Sequence, residues 1–261
     1  MTRIGLELEV SVVKNGKLVD VFSVVGETGK RVKHAYAKTD AGWFQLEISL
    51  DPVGIEDLHE VPLLLENALW EVKNWLGDVD FVFTGMLEGM VNVDIRGIIE
   101  GKVSPPLDIL YSLWCPKVRY QQLISYFQER FPHWHPILLA PLFNALHVHI
   151  QTKDPFNARV LWEGNFLLPS LAVQKGWASP HRLKWWQCGW CEKERVVPCV
   201  NGSFISQWER VPPIFDLPKP GTVWWLCRPR PDYGTWEFRF FDSCEPSEVV
   251  ERIEWLLEFV T

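Results

Sequence analysis

The sequence predicts an α+β fold: a mostly antiparallel, curved sheet, polar on one face and covered by helices on the other. Three observations predict it. Five segments alternate apolar and polar residues with period two, as strands do when one face is buried. Three others, 56–76, 119–130 and 247–260, repeat apolar residues at spacings of three and four, the mark of amphipathic helices. Strands and helices do not alternate strictly along the chain, which argues against stacked βαβ units. With 261 residues and 47% hydrophobic content, the chain can build one large core, so a single domain over 1–261 is expected.

The elements follow in order. Residues 3–13 read as a strand, Asn15-Gly16 as a hairpin turn, and Leu18–Val25 as a second strand. Residues 43–50 alternate cleanly, and Pro52 and Gly54 are expected to end that strand. The helix at 56–76 carries Leu58, Val61, Leu65, Leu69, Val72 and Leu76 on one side and stops at Gly77. Strand-like pieces follow at 80–84 and 91–96, then a loop at Ser104-Pro105-Pro106. Pro132 closes the helix at 119–130, 145–151 is a strand, and 156–175 is helical. From about 178 to 221 the chain is rich in Trp, Cys, Pro and Gly and reads as an irregular insert. Strands are expected at 222–227 and 235–242, before Pro246 opens the last helix.

The five alternating strands share a peculiarity. Glu7 and Glu9 lie on one face of the first; Gln45, Glu47 and Ser49 on one face of the 43–50 strand. Asn92, Asp94 and Arg96 do the same at 91–96, His147 and His149 at 145–151, and Glu237 and Arg239 at 236–241. The opposite faces are apolar and must be buried against helices. A solvated face of an antiparallel sheet is the ordinary reading of one such strand. Solvated faces mix Thr, Ser, Lys and Glu, however, whereas lysine is absent from all five of these groups. If the strands are neighbours, carboxylates and imidazoles crowd on one surface and repel unless cations neutralise them. Oxygen ligands favour Mg²⁺, and the two histidines would suit Mn²⁺.

A basic element accompanies this face. Arg228-Pro-Arg230-Pro runs into Asp232-Tyr-Gly234-Thr235, with prolines to stiffen it and Gly234 to turn it. Arginines held beside a carboxylate–metal face would grip polyphosphate through paired hydrogen bonds. No Walker-type loop, dinucleotide fingerprint or Gly-x-Ser-x-Gly occurs, so a nucleotide would have to be held in another way.

Other classes are set aside on composition. A net charge of −7 excludes a general nucleic-acid binder. Glu7 and Glu9 interrupt the apolar N-terminal residues, so no signal peptide is expected, and no segment approaches the apolar length of a membrane span. A cytoplasmic protein is the expectation. Six cysteines are too few for a disulfide-stapled fold. Cys188-Gly-Trp-Cys191 with Cys199 and nearby His181 could supply zinc ligands, but only one Cys-x-x-Cys pair exists, and plain thiols are the simpler reading. The tryptophans are expected mostly in the core, with Trp185-Trp186 and Trp224-Trp225 as candidates to stack on a base.

The segment Arg228-Pro-Arg-Pro-Asp-Tyr-Gly-Thr-Trp-Glu237-Phe-Arg239-Phe-Phe-Asp242 resembles a motif of glutamate–cysteine ligase-type carboxylate–amine ligases, in the glutamine-synthetase-like superfamily. Leu146-His147-Val148-His149-Ile150 is similar to their His-Val-His strand. Gly5-Leu-Glu7-Leu-Glu9 and Gln45-Leu-Glu47-Ile match their two early acidic strands. Arg119-Tyr120 and Ser179-Pro180 are weaker similarities, and the related amidoligases share several of these islands. The resemblance implies a glutamine-synthetase-catalytic-domain-like fold and an ATP- and Mg²⁺-dependent reaction. Glu7, Glu9, Glu47 and Glu237 would bind metal, with His147 or His149 as metal or phosphate partner. Arg228, Arg230 and Arg239 would neutralise phosphate, and Gln45 and Trp43 would line the site.

The expected reaction joins a small-molecule carboxylate, with glutamate favoured, to an amine through an acyl phosphate. Two other readings stay open: a metal-dependent hydrolase using the same Glu/His face, and a non-catalytic relative that binds a nucleotide or amino acid. Nucleic acid and membrane are not expected partners, and the sequence leaves room for a homo-oligomer.

Overall fold

The computed structural model describes residues 2–130, 136–154, 157–187 and 226–260. In chain order the strands are β1 (Arg3–Lys14), β2 (Lys17–Leu18), β3 (Lys30–Val32), β4 (Ala35–Thr39), β5 (Gln45–Gly54), β6 (Asp80–Val82), β7 (Ala145–Gln151), β8 (Cys227–Arg230) and β9 (Thr235–Asp242). The helices are α1 (Phe22–Val25), α2 (Val61–Leu76), α3 (Ile95–Ile99), α4 (Leu107–Leu113), α5 (Val118–Arg130), α6 (Ala158–Trp162), α7 (Leu168–Gln174), α8 (Pro180–Gln187) and α9 (Val249–Val260). A 3₁₀ turn, Ile55–Glu60, precedes α2, and a π-helical turn, Glu163–Leu167, joins α6 to α7.

The described strands form one open antiparallel sheet in the order β3-β4-β5-β1-β7-β9-β8, with β2 and β6 added to the C-terminal half of β1. The long strand β1 is its spine, paired with β5 on one side and with β7 and then β6 on the other. Asn15 and Gly16 both have positive φ, 52° and 71°, as a two-residue hairpin turn requires. The apolar face of the sheet holds Ile4, Leu6, Leu8, Leu46, Ile48, Val148, Ile150, Trp236, Phe238 and Phe240, all buried. The amphipathic helices α2 and α9 cover it, α9 setting Trp255 edge-on to Phe240 and Phe241. This is the α+β arrangement expected.

Several local expectations are corrected. Residues 91–96 are no strand: Ile95–Ile99 is a helical turn, N-capped by the Asp94 carboxylate, which accepts from the Gly97 backbone NH. Arg96 pairs with Glu88. Asn92, Asp94 and Arg96 therefore leave the polar sheet face. Leu18–Val25 is not one strand, because Leu18 ends β2 and Phe22–Val25 turns helically. Pro52 does not end β5; the strand runs to Gly54. The register shifts between Ile4 and Leu6, and the bulge places Asp51 and Pro52 opposite Gly5, beyond the last β4 pair at Leu50. A bulge tolerates proline, which has no NH to give the ladder.

At the start of the expected irregular insert, Pro180–Gln187 is helix α8. Residues 188–225 lie outside the described residues, and with them Cys188, Cys191, Cys199, Trp224 and Trp225. Trp185 is buried and stacks on Phe143 at 4.4 Å, a core contact. Among the described residues no helix is long and apolar enough to cross a membrane.

Arg182 of α8 ties the ends of β7 and β9 together. Its guanidinium is buried and donates to the carbonyls of Asn144, Phe241 and Arg239, and to the Asp242 carboxylate at 3.3 Å. Gly85 lies against the same carboxylate: a Cβ there would fall 2.0 Å from Asp242 Cγ. Gly85→Ala should therefore force Asp242 off Arg182 and lower stability by about 1–3 kcal/mol, measured by urea unfolding. An unchanged midpoint would show that the clamp carries no stability.

Candidate active site on the polar sheet face

Strand pairing determines which polar side chains meet. Glu9 of β1 stands opposite Glu47 of β5, which stands opposite Lys38 of β4. One step along, Ser49, Glu7 and His147 form the next row. A third row runs from Gly5 through His149 and Glu237 to Arg228. Gly5 leaves room for His149, whose Cβ would lie 3.3 Å from a Cβ at that position. A second bulge lies within the site: the β7–β9 register shifts between Leu146 and Val148, so His147 opposes Arg239 and Phe240 together. Of the predicted residues, Glu7, Glu9, Glu47, His147, His149, Glu237, Arg228, Arg230 and Arg239 all come together on this face.

Within it are two clusters whose ligand atoms lie within 4.8 Å of one another: Glu9, Asp40 and Glu47, and Glu7, His149 and Glu237. His147 sits between them. Its Nδ1 is 3.2 Å from Glu7 Oε2 and its Nε2 is 3.5 Å from Glu9 Oε1. The other Glu9 oxygen accepts from the Ala145 backbone NH at 2.8 Å, which fixes the carboxylate and leaves Oε1 facing the cluster. Glu47 accepts from Lys38 Nζ and from Ser49 Oγ, each at 2.7 Å.

Two of these residues escaped the sequence reading. Lys38 and Asp40 come from β4 and its exit, and the segment Ala35–Thr39 is short and weakly apolar. Its signal was the alternation itself, with Ala35, Ala37 and Thr39 buried and Tyr36 and Lys38 turned to the other face. Lys38 adds a lysine to a face whose five predicted groups contain none. Asp40 accepts from the Tyr120 hydroxyl at 2.7 Å, and the Arg119 guanidinium contacts that hydroxyl in turn. Gln45 is fully buried; its Nε2 donates to the Phe143 carbonyl at 2.7 Å and to Asn144 Oδ1 at 3.0 Å, while its Oε1 accepts from the Gly42 NH. Trp43 donates its indole NH to the Ser112 carbonyl.

The far cluster is dominated by arginine. Glu237 is 1% exposed. Arg228 donates Nε to its Oε2 at 2.7 Å and Nη2 to its Oε1 at 2.9 Å; Arg230 donates to Oε2 at 3.0 Å, and Arg239 Nε lies 3.1 Å from Oε1.

These contacts split the acidities. Burial pushes the Glu9 acid well above the usual range, and the charges of Asp40 and Glu47 push it further. Burial and the Glu7 charge raise Glu47 to about 7, against the pull of Lys38. Burial also opposes ionisation of Glu7, but His147, His149 and Lys38 outweigh it and Glu7 falls well below the usual range. Asp40 is likewise lowered, because the Tyr120 hydrogen bond and the Arg119 and His147 charges outweigh its burial. Glu237 is held far down by Arg228 and Arg239 despite its burial. Burial, helped by Arg239, lowers His147 to about 4, so its ring is neutral near pH 7 and keeps a lone pair for a ligand.

The donor set fits a hard divalent cation. Three carboxylates, Glu9 and Glu47 buried and Asp40 half-buried, outnumber the two cations beside them, Lys38 and Arg119, and the buried His149 Nε2 has no hydrogen-bond partner among the described residues. A metal at Glu9, Asp40 and Glu47 must displace the proton that Glu47 holds below about pH 7. Mn²⁺ affinity should therefore rise between about pH 6 and about pH 8, measured by calorimetry. An affinity that falls over that range would contradict this assignment of the ligands.

No family model matches the chain, and no curated protein matches it. Among solved structures it is similar to a bifunctional glutathione synthetase from Pasteurella multocida, with 15% identity and a TM-score of 0.49, over 92% of this chain and 35% of that one. It is also similar to a glutamate–cysteine ligase from Francisella tularensis in complex with AMP, with 15% identity and a TM-score of 0.32, over 67% of this chain and 30% of that one. The chain thus spans about a third of the length of each.

Proposed function

We propose that the chain is an ATP- and divalent-metal-dependent ligase that joins a carboxylate, with glutamate the favoured acid, to an amine through an acyl phosphate. One observation carries the reading: a carboxylate-rich cation position and a three-arginine phosphate position lie side by side on one sheet face. With this function goes a glutamine-synthetase-catalytic-domain-like fold, supported by the open antiparallel sheet with its polar face and helix-covered back.

Glu9, Asp40 and Glu47 would hold one Mg²⁺, and Glu7, His149 and Glu237 another, with Mn²⁺ the alternative and His147 a further ligand to one of them. Bound metal would screen the phosphate oxygens of ATP and so favour attack at the γ-phosphorus. Arg228, Arg230 and Arg239 would bind those oxygens through charge-assisted hydrogen bonds and stabilise the charge in transfer. A substrate carboxylate oxygen attacks the γ-phosphorus, and the bond to the ADP oxygen breaks. The amine nitrogen then attacks the acyl carbon and loses a proton, and inorganic phosphate leaves.

A second reading has its own support. Glu237 bound by three arginines would suit a domain that captures a nucleotide or an amino acid without turnover. The readings separate in one assay. ADP release should require Mg²⁺, a carboxylate and an amine together, and Glu237→Ala and Glu7→Ala should each lower it by about two orders of magnitude or more. Full activity in either variant would remove that residue from the mechanism. Binding without ADP release across an acid–amine panel would favour the capture domain, and turnover without ATP would favour a hydrolase.

A further inference from the structure

The two clusters differ in what already neutralises them. At Glu9, Asp40 and Glu47, three carboxylates meet two cations, the ammonium of Lys38 and the guanidinium of Arg119, 4.0 Å from Asp40. At Glu7, His149 and Glu237 the balance is reversed, because two carboxylates face three guanidiniums. Both oxygens of Glu237 are engaged, and its side chain is sealed from water. A metal ion needs a carboxylate lone pair and surroundings that are net negative. The first cluster offers both once its protons are displaced, with three carboxylates against two cations. While the arginines remain on Glu237, the second has net positive surroundings and both Glu237 oxygens are taken, which leaves Glu7 as its one available carboxylate.

The arginines can be drawn away by another anion of suitable shape. A guanidinium fork binds phosphate oxygens in the way it binds a carboxylate. Arg228 and Arg230 reach Glu237 from β8, the edge strand of the described sheet, and keep 17% and 26% of their side chains exposed.

We propose that Arg228 and Arg230 are a latch on Glu237: they exchange its carboxylate for phosphate oxygens when a polyphosphate arrives, and only then do Glu7, His149 and Glu237 take a metal ion. The inference rests on the metal-and-phosphate reading above and adds an order of binding. The cluster of Glu9, Asp40 and Glu47 loads alone, and the other loads together with polyphosphate. By reciprocity, metal at the second position tightens the hold on polyphosphate.

The test is calorimetric titration of the full chain with Mn²⁺, without nucleotide, and separately with inorganic tripolyphosphate, without metal. Wild type should bind one Mn²⁺ at least about tenfold more tightly than a second. In R228Q/R230Q the second Mn²⁺ should bind about tenfold more tightly than in wild type, and tripolyphosphate about tenfold more weakly. R230Q alone, at the more exposed arginine, should move both in the same directions by less, which guards against a misfolded double variant. Adding Glu237→Gln to the double variant should remove the gain. Two equally tight Mn²⁺ ions in wild type, an unchanged second Mn²⁺ in R228Q/R230Q, or unchanged tripolyphosphate binding would each overturn the latch. Failure of wild type to bind any Mn²⁺ would overturn the metal site and the latch together. The expected pattern without ADP release in the assay above would leave the latch standing and sink the ligase.

Discussion

Like charges buried side by side are the constraint on which this site depends. Strand side chains repeat every two residues, so once Leu6, Leu8, Val148, Trp236 and Phe238 are packed under helices, Glu7, Glu9, His147, His149 and Glu237 must share the other face. Two unit charges about 4 Å apart interact by roughly 4 kcal/mol at the effective dielectric of a protein site. Such a face folds only if its charges are split, paired or protonated. All three occur. Glu237 is paired with arginines, Glu7 with His147 and Lys38, and Glu9 and Glu47 hold on to protons. The outcome is an uneven surface, hungry for cations at one end and for anions at the other.

The scaffold around this face holds the carboxylates in place. Ser11, Gln45 and Asn144 form a buried network that joins β1, β5 and the entry to β7. Arg182 gathers carbonyls at the ends of β7 and β9, and the Ser243 hydroxyl donates to the Glu9 carbonyl. These contacts order the backbone from which Glu9, His147 and Arg239 project. Gln45, two residues before Glu47, and Arg182 both use their hydrogen bonds on this framework.

Much of the arrangement was legible in the sequence because period-two alternation is a local signal. It located β1, β7 and β9 closely, and their polar residues fell on the face expected. It failed at 91–96, where Asp94 serves as a helix cap, a role that alternation does not distinguish from a strand position. It failed in the other direction at Ala35–Thr39, where small residues mute the apolar signal of β4. Lys38 and Asp40 were lost with that strand. The pairing of Arg228 and Arg230 with Glu237 was not legible either. Register decides it, and register depends on long-range pairing between β8 and β9.

The central claim is that the carboxylates of this face are metal ligands. Anomalous diffraction from crystals soaked in Mn²⁺ tests it most directly. The account predicts a peak between Glu9, Asp40 and Glu47, with metal–oxygen distances of about 2.0–2.3 Å. A fully soaked crystal with no peak on this face, and ordered side chains at all three residues, would contradict it.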